Sequence, residues 1–313
     1  MSRKILLDCD PGIDDAIAIC FALFHTEIEL VGLTACEGTV ETRQVNRNLE
    51  SVVHLLDPPK RPRIGLASPC GSAPADTGPL LDGPDGLANL ALDIELQRSA
   101  SAEKVMAEAV RNHPHDVTLL CLGPLTNVAA LLQHHPHLEG SINRIVIVGG
   151  SVKGIGNVTP CAEFNMYFDP EAAQRVLKSA TTKSMVPLDV SAEVRFDLSF
   201  LDKLPVASTR AGHLLRQSLP TLYRSFRQNH AMEEILLRGL VGLMACLQPN
   251  FFQWEEMACD IETNNGLTRG MTVFDRRFPC EWKKNVEVAT RVESHLVHDA
   301  IVAGLRWAGQ QTI

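Results

Sequence analysis

The chain has 313 residues, 45% of them hydrophobic, with 29 Lys and Arg against 37 Asp and Glu for a net charge of −8. That composition belongs to a folded globular protein and excludes a disordered one. An acidic balance with no basic run argues against nucleic acid or an anionic membrane as the main partner, since both require clustered Lys and Arg, and leaves small molecules and proteins.

The opening Met1-Ser2-Arg3-Lys4 is basic, but only three apolar residues follow before Asp8, so no signal-peptide core is present. The longest apolar stretches, Ile17–Phe24 and Leu240–Leu247, fall far short of the roughly 20 residues that span a bilayer. The expectation is therefore a cytoplasmic protein without membrane helices. Nine cysteines make an odd count with no Cys-x-x-Cys pair, which reads as reduced, mostly buried thiols and no structural zinc.

In chain order, Lys4-Ile5-Leu6-Leu7 reads as a strand and Asp14–Phe24 as an amphipathic helix. Further strands are predicted at Leu30–Thr34, Val117–Leu122, Ile145–Val148 and Ser184–Leu188, with helices near 41–56, 101–112, 127–134 and 170–179. This alternation predicts an α/β fold with a mainly parallel sheet flanked by helices. Residues 57–90 hold seven of the 18 prolines and five glycines, so helix and central strand are both excluded. That stretch reads as a long loop, either a flap over a site or a surface excursion. Residues 199–247 read as mostly helical, 257–263, 270–275 and 285–292 as strands, and 294–308 as a closing helix. No repeat or linker divides them, so residues 1–313 are expected to form one domain.

The densest chemistry lies in Asp8-Cys9-Asp10-Pro11-Gly12-Ile13-Asp14-Asp15, four carboxylates after a strand and at a helix start. Helix capping accounts for one or two of them. Carboxylates held close together repel and raise one another's pKa unless a cation neutralises them, and an all-oxygen donor set suits a hard ion such as Ca²⁺ or Mg²⁺. A second group runs from Gly156-Asn157 through Glu163 to Asn165, ahead of Asp169-Pro170. Amide and carboxylate groups so spaced suit the hydroxyls of a sugar, or a turn bonded to itself. Gly123-Pro124-Leu125-Thr126-Asn127 ends a strand and either offers a carbonyl to a metal or simply starts a helix.

These segments, with Pro187-Leu188-Asp189-Val190 and Gly266-Leu267-Thr268-Arg269-Gly270, resemble the inosine-uridine-preferring nucleoside hydrolase family over most of the chain. The resemblance implies a Rossmann-like sheet, a Ca²⁺ ion at its carboxyl edge, and hydrolysis of the N-glycosidic bond of a ribonucleoside. It implies metal ligation by Asp10, Asp15 and the Thr126 carbonyl, with Asp10 as general base on metal-bound water. Asp14, Asn157, Glu163 and Asn165 would hold the ribose hydroxyls, and the chain would assemble as a dimer or tetramer. General-base attack by water on an oxocarbenium-like centre needs no protein nucleophile.

Three positions depart from the family pattern. Gly38-Thr39 stands where the family has Gly-Asn, and Asp82-Gly83 where it often has His-Gly. Arg238-Gly239 stands where an ungapped alignment places a His-Asp pair, the His serving as leaving-group acid and the Asp as a metal ligand. An alternative reading is thus a ribosyl-binding relative with weak or lost catalysis. His298-Asp299 lies in the closing helix and reads as a coincidence, while His230, Glu233 and Glu234 are nearer candidates for the missing group. A strand followed by Asp8-x-Asp10 also occurs in haloacid dehalogenase-like phosphatases, but the Pro11-Gly12-Ile13-Asp14-Asp15 that follows fits them poorly.

Overall fold

The computed structural model describes residues 2–70, 81–90, 92 and 100–313. β1 (Arg3–Cys9) leads into α1 (Ile13–Phe24), β2 (Ile28–Ala35) into α2 (Thr42–Leu56), and β3 (Ile64–Leu66) and β4 (Ala100–Ser101) precede α3 (Ala102–Asn112). β5 (Val117–Cys121), α4 (Thr126–His134), β6 (Arg144–Val148), α5 (Phe164–Phe168), α6 (Pro170–Lys178) and β7 (Lys183–Val186) follow. Next come α7 (Leu188–Ser191), β8 (Arg195–Phe196), α8 (Arg210–His230), β9 (Ile235–Leu236) and α9 (Arg238–Leu247). The chain closes with β10 (Phe252–Met257), β11 (Cys259–Ile261), β12 (Thr272–Phe274), β13 (Val286–Val292) and α10 (Ser294–Gln311).

Nine strands form one sheet in the order β10-β13-β7-β6-β5-β1-β2-β3-β4, parallel throughout except for the antiparallel edge strand β10. Side chains alternate along β1. Ile5, Leu7 and Cys9 enter a core shared with α1, α2, α8, α9 and α10, and Leu6 enters the opposite core with α3, α4 and α6. Each fully buried Leu or Ile there contributes about 1.5–3 kcal/mol relative to exposure. The predicted α/β class, the parallel sheet and the flanking helices are all present, and no disulfide joins cysteines among the described residues. No helix among the described residues is long and apolar enough to cross a membrane.

Three local expectations are corrected. The stretch 57–90 is not loop throughout, because Ile64–Leu66 pairs with β2 as β3 and the prolines at 58, 59, 62 and 69 flank the ladder without interrupting it. Its residues 71–80 lie outside the described residues. β7 stops at Val186 because Pro187 has no N–H for the ladder, and it caps the short α7 instead. The strand expected at 257–263 is the shorter β11, and an edge strand that was not expected, the half-exposed β10, precedes it and pairs with β13.

Connections from β1 run outward through β2, β3 and β4, and those from β5 run the other way through β6 and β7. The reversal between β1 and β5 opens a crevice at the carboxyl edge of the sheet, where ligands bind in open α/β folds. The loops after Cys9 and Cys121 meet there.

Candidate active site

The crevice holds a cavity of ≈ 230 Å³ whose polar side is lined by Asp10, Asp14, Asp15, Glu163 and Asn165, with Asn157 at an exposed edge. Residues from opposite halves of the chain thus converge on one volume suited to a compact ligand. Asp10 is held by close backbone contact. Its Oδ2 accepts the Thr39 N–H at 3.2 Å, and a Cβ on Gly123 would stand 2.7 Å from its Oδ1, while one on Gly38 would strike Oδ2. No side chain larger than hydrogen fits at either glycine while Asp10 stays in place.

Two helices that end at the cavity lack caps of their own. The N-caps of α1 and α9, Gly12 and Leu237, supply no side-chain hydrogen bond. Carboxylates from elsewhere in the chain stand there instead. The Asp82 carboxylate packs against Gly12 at the start of α1, beside the Ile13 N–H. Asp14 Oδ2 accepts the Gly239 N–H at 3.0 Å, with the Arg238 N–H also directed at the carboxylate. Asp14 Oδ1 stays buried without a partner, so one oxygen anchors and the other is free for a ligand. A carboxylate at a helix N-terminus also complements the dipole.

Each remaining residue has one group spent and another available. Glu163 caps α5 and accepts the Gly150 N–H at 3.0 Å and the Met166 N–H at 3.3 Å. Asn165 Nδ2 donates to the Leu122 and Val148 carbonyls at 2.7 and 2.9 Å, which leaves its Oδ1 to face the cavity. Asn157 Oδ1 accepts the Phe164 N–H at 2.8 Å, which leaves its amide N–H groups. Asp8 takes no part in the lining. Its Oδ1 accepts bonds from Thr34 at 2.6 Å and Asn127 at 2.9 Å, and it ties β1 to β2 and to the start of α4. Thr126 is the first residue of α4 and does not line the cavity, and its hydroxyl donates to Asp169 at 2.8 Å.

Burial dominates the electrostatics. It raises the carboxyl pKa of Asp8 and Asp82 to about 7 and of Asp14 to about 6. Asp10 and Asp15 also lie above the ordinary range, first through burial and then through repulsion from neighbours that for both include Asp82. The nearest guanidinium, Arg238, acts on Asp14 and Glu163 and is not among the groups that offset Asp10 or Asp15. Uncompensated oxygen ligands of this kind fit a hard divalent cation. Among the described residues, no three His, Cys, Asp or Glu side chains stand in ligating geometry, so Asp10 and Asp15 would hold such an ion with backbone, ligand or water oxygens completing the shell.

The wall facing the carboxylates is apolar and comes from α8 and the segment after it, through Leu222, Phe226 and Leu236. His230 and Arg238 add nitrogen to it. Sequence spacing gave no basis for choosing Leu222, Phe226 or Asp82 as lining residues; the helical pattern of 210–230 was the one signal for the first two. Glu233 and Glu234 border a separate surface depression, and His298 stacks on Phe196.

The sequence profile of the inosine-uridine preferring nucleoside hydrolase family matches residues 5–299. The chain is 33% identical, over 295 residues that cover 93% of it and 94% of the relative, to the non-specific ribonucleoside hydrolase RihC of Salmonella agona. A plant nucleoside hydrolase superposes with a TM-score of 0.88 at 26% identity, covering 98% of this chain and 99% of that one. A purine-preferring ribonucleoside hydrolase from Gardnerella vaginalis shares the fold, with a TM-score of 0.87 at 24% identity over 98% and 99% of the two chains.

Proposed function

The chain belongs to the inosine-uridine preferring nucleoside hydrolase family, and we propose that it hydrolyses the N-glycosidic bond of ribonucleosides, or a close N-ribosyl compound, with Ca²⁺ at Asp10 and Asp15. The observation that carries this reading is the convergence of Asp10, Asp14, Asp15, Glu163 and Asn165 on one cavity, with Asp14 Oδ1 and Asn165 Oδ1 left over after structural bonds. A ribose hydroxyl both donates and accepts, so it matches the free Asp14 Oδ1, the Asn165 Oδ1 and the Asn157 amide. Asp10 is the general base. Its carboxylate lines the cavity and is held in place by the Thr39 N–H and the close approach of Gly38 and Gly123, as a group that takes a proton from water must be. When bound, the ion would acidify and orient that water and gather ribose oxygens. The apolar wall of Leu222, Phe226 and Leu236 receives the base.

Reducing-sugar release from inosine, uridine and p-nitrophenyl riboside tests this reading, with EDTA or added Ca²⁺. We expect release that depends on Ca²⁺ and falls at least about 10²-fold in Asp10→Asn. Ribose binding without release would favour the alternative of a ligand-binding relative, for which the Arg238-Gly239 departure is the motive. Light scattering tests the accompanying expectation of a dimer or tetramer.

A further inference from the structure

We propose that Arg238 is the leaving-group residue of this enzyme, binding the departing base as an anion, so that the chain favours N-ribosides whose base departs without prior protonation. The inference rests on the N-glycosidase reading above.

Arg238 lines the cavity at the first turn of α9. Its Nε is buried without a partner, and none of its guanidinium groups makes a hydrogen bond among the described residues. Asp14 and Glu163 attract it through space, yet neither receives a side-chain hydrogen bond from it. A guanidinium whose Nε is buried and unpaired is costly, and a purely structural arginine would satisfy its planar fork on one of these carboxylates. Here the fork is left open toward the ligand volume. The Gly239 N–H is already taken by Asp14, so the vacant donors that α9 presents to the cavity belong to the Arg238 side chain.

The chemistry of the polar side decides what those donors face. Sugar hydroxyls match the carboxylates and amides, and a phosphate on the sugar would meet Glu163 and Asp14, which are acceptors only when ionised. Arg238 lies two residues from Leu236, whose side chain joins Phe226 in the apolar wall, and together they describe a flat apolar ligand with an electron-rich edge. In the reaction, water oxygen bonds to C1′ and its proton passes to Asp10. The C1′–N pair leaves with the base, whose negative charge meets the guanidinium. Arg238 stays protonated throughout, and the released base takes its proton from solvent. This is electrostatic stabilisation in place of general-acid transfer.

The test uses the full-length protein with Ca²⁺ present and compares uridine or inosine with p-nitrophenyl riboside, whose leaving group departs as a stable anion. In Arg238→Gln, kcat for the nucleosides should fall by about 10²–10³-fold and that for p-nitrophenyl riboside by less than about 10-fold. Arg238→Lys, which keeps the charge but not the fork, should fall between. Free guanidinium added to Arg238→Ala should restore part of the nucleoside rate, and circular dichroism and thermal melts establish that each variant folds. Equal losses on both substrates, no loss on either, or a bell-shaped wild-type profile whose acidic group survives in Arg238→Gln would overturn the proposal. If wild type releases ribose from no substrate, the N-glycosidase reading itself fails, and this inference with it.

Discussion

Asp10 sits among glycines that leave no room for a Cβ, whereas Arg238, across the same cavity, sits with its Nε unpartnered and its fork open. The floor is fixed by close backbone packing at the ends of β1, β2 and β5. The wall is fixed by α8 and α9, which begin only at Arg210 and Arg238. Floor and wall are joined by Asp14, whose Oδ2 reaches the Gly239 N–H. Chemistry common to N-ribosides belongs on the rigid side, and discrimination between leaving groups belongs on the side assembled from packed helices.

The largest expected break comes from the floor. Gly123→Ala places a methyl group 2.7 Å from Asp10 Oδ1, so kcat should fall by about 10²-fold or more while the fold survives, as circular dichroism and steady-state kinetics would check. The second expectation concerns pH in the absence of metal. Asp8, Asp14 and Asp82 have folded pKa values of about 7, 6 and 7 against an ordinary 3.8. A carboxyl raised in the folded state contributes stability at pH values below its unfolded pKa and loses it as pH rises through the folded value. The Tm of EDTA-treated protein should therefore decline from about pH 4 to pH 7, and excess Ca²⁺ should recover more of it the higher the pH. A flat Tm across that window would show that these groups do not carry the burial penalty assigned to them.

Smaller effects sharpen the contrast from the wall. A Cβ on Gly239 would lie 3.1 Å from Leu122 Cδ1, 3.2 Å from Ala18 Cβ and 3.5 Å from Asp14 Oδ1, tight but within reach of small adjustments. Gly239→Asp should tighten Ca²⁺ binding by roughly tenfold in calorimetric titration, through one more carboxylate near the ion. An unchanged isotherm would place residue 239 outside the ion's reach. His230→Ala, at the exposed end of α8, should raise KM about fivefold with kcat unchanged, the loss of one hydrogen bond at the rim.

Much of the floor was legible because its carboxylates are crowded into eight residues after an alternating strand, and such crowding has few causes. Glu163 and Asn165 were legible as polar residues closely spaced after β6, although they prove to be the cap and second residue of α5 rather than loop residues. The wall was not, because Leu222 and Phe226 differ from neighbouring buried residues of α8 only in which way the helix is rotated, a property of its packing on α1, α2 and α10. Asp82 was read as a departure from a family pattern and also packs against the start of α1, a contact that spacing alone does not encode. Ile64–Leu66 hid among prolines because its β character depends on a vacancy beside β2.

The Asp14–Gly239 bond closes over 225 residues of chain. During synthesis, the carboxylate loop leaves the ribosome long before the helix whose amide groups hold Asp14, and before β13, which must slot between β7 and β10 to complete the sheet. A nascent chain therefore carries Asp14 for most of its translation with neither the α9 terminus nor the Arg238 charge that hold it in the folded protein. Catalytic competence is thus acquired late and all at once, so an abortive product ending before residue 239 holds every floor residue and no working site.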